Sequence, residues 1–280
     1  MGERLTTNEV PLPTDKLILI DLDKTLIDPQ YQITDESVIG EIERVQSLGW
    51  NLGLSSDTAL EPLKIWRKRF HLNGPLIAEK GSVVWLPDGR ESAKADYEIF
   101  FTSLRSNLMK KLSEERIPFV FGDVTQFLRN HPQLPGMVDQ RLVLIQAYRR
   151  YSMNFYGRAL DVQGNLIIDN DLTQQIIDKL QGLIKAQPFE IEEDYNPEYG
   201  IFILAPRSVN KREGTLKMLE LLGLEKVGII GDSESDLIGE DIAVHYAVGN
   251  ARPELKRQAV YVSSSEYTRG VKEILSRIKS

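Results

Sequence analysis

The 280-residue chain contains no cysteine. That excludes disulfide frameworks, thiolate metal sites and cysteine nucleophiles, and it accords with a reducing, cytoplasmic setting. Histidine is scarce: His71, His131 and His245 stand far apart without ligand spacing and read as structural residues. No apolar run approaches the roughly 20 residues needed to span a bilayer, and the N-terminus lacks the apolar core of a secretory signal. Basic excess is missing as well. With 34 Lys and Arg against 41 Asp and Glu, the net charge of −7 offers no electrostatic footprint for nucleic acid or an anionic membrane. What remains is an ordinary globular composition, 41% hydrophobic and 27% charged, sufficient for one large or two modest domains.

The segment Leu17-Ile18-Leu19-Ile20-Asp21-Leu22-Asp23-Lys24-Thr25 carries the most information. Four apolar residues of a buried parallel strand end in two aspartates and a threonine, where an open α/β sheet binds its ligands. Two carboxylates about 4 Å apart repel by roughly 4 kcal/mol at an effective dielectric near 20. Such a pair recruits a cation or carries a proton, unless it merely caps a helix.

The alternation around it is β-α-β-α-β. Thr34 is placed to cap a helix with the stripe Val38, Ile39, Ile42, Val45 and Leu48, and Trp50–Leu54 forms a second strand running into Ser55. A helix through Leu63, Trp66 and Phe70 follows, then a strand at Leu76–Ala78; Trp50, Trp66 and Trp85 read as core. Val83–Leu86 with Pro87-Asp88-Gly89 is a hairpin, which breaks the rhythm. Helices near 100–112 and 176–184 and strands near 150–156 and 201–204 fill the middle of the chain. The wound pattern resumes with a helix from Lys211 and strands ending at Asp232 and Val248. The predicted fold is therefore α/β: a doubly wound, Rossmann-like parallel sheet of residues 1–83 and 206–280, interrupted by an α+β domain of residues 84–205.

Four strand and helix ends now carry Asp21 and Asp23, Ser55, Lys211, and Asp232 with Asp236. Singly, Ser55 and Asp232 could be helix caps and Lys211 a solvated lysine. In this order they resemble the haloacid dehalogenase-like hydrolase superfamily, in the sugar-phosphatase branch with a large cap. The likeness rests on Asp-x-Asp-x-Thr at Asp21–Thr25, a serine at Ser55, a lysine at Lys211, and Gly-Asp-x-x-x-Asp at Gly231–Asp236, with Ala247–Ala251 beyond. The resemblance implies a Mg²⁺-dependent phosphatase acting on a phosphorylated small molecule. Asp21 would be the nucleophile and Asp23 the general acid and base. Asp21, Asp232 and the backbone carbonyl of Asp23 would hold Mg²⁺, with Asp236 and Thr25 behind them. Ser55 and Lys211 would bind the phosphate oxygens.

Three positions depart from the pattern: Ser56-Asp57 replaces the frequent Gly-Arg, Arg212 follows the lysine, and Ser235 stands where Asn is frequent. The stretch Ala147–Phe155 is similar to a cap segment of the mannosyl-3-phosphoglycerate phosphatase family. It makes Arg149 a candidate for a substrate carboxylate, against the alternative of a surface Arg-Arg pair at a helix end. Hexose, sucrose and glycosyl-phosphoglycerate esters all stay open as substrates. A sugar phosphomutase, or a phosphosugar-binding protein with decayed catalysis, are the alternative functions.

Overall fold

A computed structural model describes residues 11–129, 140–186 and 189–279. His131 and the polar arm through residue 10 lie outside them. The chain forms two compact units, one of residues up to Ala93 and from Asn210 onward, the other Lys94–Val209.

The first unit begins with β1 (Leu17–Ile20), α1 (Val38–Ser47), β2 (Asn51–Ser55), α2 (Leu60–Arg69), β3 (Leu76–Ala78), β4 (Val83–Trp85) and β5 (Glu91–Ala93). The second unit contributes α3 (Ala95–Glu114), β6 (Phe119–Gly122), α4 (Val124–Arg129), β7 (Arg141–Gln146), β8 (Met153–Leu160), β9 (Leu166–Ile168), α5 (Asn170–Lys185), β10 (Ile191–Asn196) and β11 (Ile201–Pro206). The first unit then closes with α6 (Lys211–Leu222), β12 (Val227–Gly231), β13 (Ala243–Ala247), α7 (Pro253–Gln258), β14 (Tyr261–Val262) and α8 (Tyr267–Ser276).

The first unit's sheet has the order β14-β13-β12-β1-β2-β3-β4-β5, parallel from β14 to β3 and antiparallel beyond. Every residue of β1 and β12 is buried, as expected of central strands covered on both faces, and this is why they read as unbroken apolar runs. Ile20 lies opposite both Ile230 and Leu54, so β1, β12 and β2 end level with one another. Their successors Asp21, Gly231-Asp232 and Ser55 therefore emerge at one edge. Leu17, Leu19, Val227 and Ile229 pack with Met218 and Leu219 of α6, which fixes that helix against the same sheet.

Four sequence expectations change here. The hairpin β4-β5 pairs onto β3 and extends the core sheet, so the unit boundary falls at 93/94 rather than 83/84; the return falls at 209/210 rather than 205/206. Thr34 does not cap α1, because the chain turns through Asp35 and Ser37 first and the helix starts at Val38. The third concerns the tryptophans: Trp50 is core, but Trp66 and Trp85 are only half-buried, and the exposed faces lie under Arg69 and under Arg67 and Lys64. Finally, the strand expected near 150–156 begins at Met153 and runs to Leu160.

The second unit's sheet has the order β10-β11-β8-β7-β6, with β9 also on β8. Gly157 donates its N–H to the Thr173 hydroxyl, so α5 covers the face of Val143, Phe155 and Gly157. Because side chains alternate along a strand, Leu142 and Leu144 point the other way and pack with Val124 of α4. No helix among the described residues is long and apolar enough to cross a membrane.

The C-terminal helix is latched by one carboxylate. Glu273 accepts from the hydroxyls of Tyr261, Ser263 (2.7 Å) and Ser264 (2.9 Å), tying edge strand β14 to α8. Partial burial opposes ionisation, but the hydroxyl and amide donors outweigh it and hold this carboxyl down at about 2. A lowered folded-state value contributes stability that is complete above the unfolded value near 4.3 and is lost as pH falls toward 2. Glu273→Gln should therefore cost about 1–2 kcal/mol at neutral pH, reduced from the full linkage value by solvent screening. Denaturant titrations should show the deficit shrinking as pH falls below about 4 and gone only at about pH 2 and below; a pH-independent deficit would assign the effect to packing instead.

Candidate active site

At the shared edge, Lys211 is the organising residue. It is the first residue of α6, whose N-cap Asn210 accepts the Glu213 N–H, and it is 5% exposed. Its ammonium donates to Asp21 Oδ1 at 2.6 Å and Asp236 Oδ1 at 2.7 Å. The other oxygen of Asp236 accepts the backbone N–H groups of Asp232 and Ser233, both at 3.1 Å. Thus Asp236 is fully engaged: it seats Lys211 and shapes the loop that presents Asp232. That fit requires Gly231, since a Cβ there would lie 2.3 Å from Asp236 Oδ2.

Thr25 donates to Asp232 Oδ1 at 3.3 Å. Asp21 Oδ2 and Asp232 Oδ2 have no hydrogen-bond partner among the described residues. Carboxylate oxygens of Asp21, Asp232 and Asp236 all lie within 4.8 Å of one another. Burial, followed by the charges of Asp236, Asp23 and Asp232, drives the Asp21 carboxyl well above its usual range, against the pull of Lys211. Burial, followed by the charge of Asp236, pushes Asp232 up to about 6, against Lys211, Lys24 and the Thr25 hydroxyl. For Lys211, burial opposes the ammonium, yet Asp21, Asp236 and Asp57 outweigh it and the value rises well above normal.

The residues fit a hard cation. Four carboxylates, of Asp21, Asp23, Asp232 and Asp236, gather around one buried ammonium, all oxygen donors of the type Mg²⁺ prefers. The two unpartnered oxygens belong to Asp21 and Asp232.

Asp23 stands slightly apart. Its Oδ2 accepts from Thr58 Oγ1 at 3.2 Å and Ser56 Oγ at 3.4 Å, and burial raises its carboxyl above the usual range. Ser55 is buried at 3%, and its hydroxyl makes no hydrogen bond among the described residues. The loop Ser56–Thr58 is braced by backbone bonds from Glu79 and Lys80. Gly81 (φ +105°) allows this brace to abut α6, because a Cβ there would sit 2.1 Å from the Asn210 carbonyl.

The structure thus brings Asp21, Asp23, Thr25, Ser55, Lys211, Asp232 and Asp236 together on the first unit. Arg149 belongs to the second unit, where it donates to the Ser152 hydroxyl at 3.0 Å. Its neighbour Arg150 is consumed by a two-pronged pair with Glu98. The departures from pattern resolve individually. Asp57 is exposed, yet its charge reaches Asp23 and Lys211. Arg212 turns away to a two-pronged pair with Asp241, and Ser235 bonds the Ser233 hydroxyl. His71 pairs with Glu43 on the surface, and His245 accepts the Ile238 N–H in the interior, so neither enters the site.

Three contributors were not assigned from the sequence. Ser56 and Thr58 hold Asp23; the recurrence of hydroxyls after Ser55 was their only signal. Asn250 donates to the Lys24 carbonyl and accepts the Tyr267 N–H, pinning the Asp21–Thr25 loop to α8.

Comparison with known proteins gives a consistent result. A family model described as haloacid dehalogenase-like hydrolase matches residues 18–275. Phosphoglycolate phosphatase 1 of Saccharolobus solfataricus is 26% identical over 268 residues, 94% of this chain and 95% of that protein. Mannosyl-3-phosphoglycerate phosphatase of Pyrococcus furiosus is 31% identical over 72 residues, 26% of this chain and 28% of that protein. The crystal structure of a haloacid dehalogenase-like hydrolase from Bacteroides thetaiotaomicron superposes with a TM-score of 0.66 at 17% identity, covering 95% of this chain and 100% of that one.

Proposed function

The chain belongs to the haloacid dehalogenase-like hydrolase family, and from that premise we propose that it hydrolyses a phosphate monoester of a sugar or glycosyl-phosphoglycerate through an aspartyl-phosphate, with Mg²⁺ as cofactor. At the coarser level it is a phosphoric monoester hydrolase, in keeping with relatives named as phosphatases. The observation that carries the finer reading is the buried Asp21–Lys211–Asp236 bridge with the open oxygens of Asp21 and Asp232 beside it.

Phosphate-monoester hydrolysis is among the slowest uncatalysed reactions, so the site must supply upwards of about 20 kcal/mol. One carboxylate oxygen of Asp21 attacks phosphorus while the ester bond to the leaving oxygen breaks. Asp23, whose buried carboxyl retains a proton more readily than an exposed one, delivers that proton to the leaving alkoxide. It then takes a proton from water, which attacks the phosphoaspartate, releases inorganic phosphate and regenerates Asp21. Ser55 and Lys211 hold the non-transferring oxygens; Lys211 is fixed in advance by Asp236, so little reorganisation is needed as charge develops. Asp21 and Asp232 would hold Mg²⁺, which when bound neutralises phosphate charge. Arg149, with no carboxylate partner among the described residues, is assigned to an acidic group of the substrate.

The test is phosphate release from a panel of hexose phosphates, sucrose 6-phosphate, 2-phosphoglycolate and mannosyl-3-phosphoglycerate. At least one ester should be turned over with Mg²⁺, and EDTA should lower that rate by about a hundredfold or more, restored by added Mg²⁺. Turnover indifferent to chelation would refute the metal assignment.

A further inference from the structure

The second unit carries a feature that the phosphatase chemistry does not use. Gln146 ends β7 and Asn154 lies near the start of β8. Ile145 pairs with Phe155, so Gln146 and Asn154, one step on, stand directly opposite each other. Both are more than nine-tenths buried, at 7% and 4% exposure, and both side-chain oxygens, Gln146 Oε1 and Asn154 Oδ1, lack any hydrogen-bond partner among the described residues. Buried amide oxygens are almost always paired, because an unpaired one loses its hydration with nothing in return. Two side by side are a stronger anomaly than two apart.

The surroundings explain what could satisfy them. The pair lies on the sheet face opposite α5, in a row running across the strands. Gly122 of β6 flanks Gln146, and Ile203 of β11 flanks Asn154. A Cβ built on Gly122 would meet nothing within 4 Å among the described residues, which leaves that end of the row open on their side. Residues 147–153 connect the two amides directly and bring Arg149 to the same end of the sheet, while the charges of Arg149 and Arg158 act on the Tyr156 phenol two residues along the same face. Unpaired acceptors call for donors. The neighbouring guanidinium charges disfavour an ammonium and favour neutral donors, of which hydroxyl groups on a neutral or acidic molecule are the kind a phosphate ester's organic part carries.

We propose that Gln146 and Asn154 form a binding site for a polyhydroxylated ligand, the paired amide oxygens accepting hydrogen bonds from two of its hydroxyls. Two sources share this chemistry: a free polyol, or the organic part of a phosphate ester. Only the second rests on the phosphatase reading.

Scanning fluorimetry with mannitol, mannitol 1-phosphate and inorganic phosphate, each at 20 mM or below, separates them. These concentrations are too dilute for the general stabilisation given by excluded solutes. In the wild-type protein, mannitol 1-phosphate should raise the melting temperature by about 2 °C or more beyond inorganic phosphate. A comparable rise with mannitol alone would identify a free-polyol site. Asn154→Leu and Gln146→Leu should each abolish the hydroxyl-dependent rise while leaving the ligand-free melting temperature equal or higher, since each removes an unpaired buried oxygen. A merely structural role would lower the ligand-free value instead. No hydroxyl-dependent rise in the wild type, or an undiminished one in both variants, overturns the proposal. Because binding is read without turnover, a protein inert towards every phosphate ester still tests the site. Phosphatase activity without a hydroxyl-dependent rise sinks this site and leaves the phosphatase reading standing.

Discussion

Asp21→Asn should lower phosphate release by about four orders of magnitude or more, equivalent to about 5.5 kcal/mol of transition-state stabilisation. The substitution is isosteric, so the loss is chemical: an amide oxygen is too weak a nucleophile to displace the leaving group. What makes the experiment decisive is stability. Burial and three neighbouring carboxylates already disfavour the ionised Asp21 in the folded protein, and only Lys211 opposes them. A neutral amide removes that like-charge repulsion, and Lys211 keeps Asp236 as its partner. The melting temperature of Asp21→Asn should therefore equal or exceed that of the wild type. Inactivity with unchanged or increased stability is the signature of a residue retained for chemistry. More than a tenth of wild-type turnover in the variant would remove Asp21 from the nucleophile's role.

The sequence was legible where burial is symmetrical. β1 and β12 are covered on both faces, so each reads as an apolar run ending abruptly in acid, and their level endings bring Asp21 and Asp232 together. Lys211 was legible as a helix start because Asn210 caps it through its side chain. Legibility failed where tertiary contacts override local signals. Nothing in Val83–Ala93 distinguishes a hairpin that extends one sheet from one that opens another domain; pairing with β3 decides it. Thr34 has a capping side chain, but its backbone N–H is directed to Thr268, more than two hundred residues away. The hydroxyls of Ser56 and Thr58 gain meaning only because Asp23 is folded back to them. Asp236 is the most instructive case: the family resemblance placed it behind Asp232, whereas its task of holding Lys211 as well as that loop depends on α6, contributed from across the second unit's insertion.

Lys211→Met should strongly destabilise the first unit. The ammonium contacts two carboxylates that are 8% and 1% exposed, so its removal leaves both uncompensated in the interior. Breaking a buried pair from one side typically costs about 3–5 kcal/mol, far more than an exposed pair is worth. For a protein of this size that corresponds to a fall in melting temperature of about 6–20 °C. The cause can be separated from lost packing in two ways. First, adding Asp21→Asn should restore part of the stability, because one unpaired charge is then gone; the two effects should be strongly non-additive. Second, acidification should narrow the gap to wild type. A carboxyl whose folded-state value is raised destabilises the fold fully above that value, and the penalty shrinks as pH falls below it and vanishes near the ordinary unfolded value of about 3.9; Asp21 stands high even with Lys211 present. Turnover should be lost in every one of these variants, since the recovered stability comes from neutral groups that cannot offset phosphate charge. A Lys211→Met deficit that is constant with pH and additive with Asp21→Asn would mean that the bridge contributes volume rather than charge.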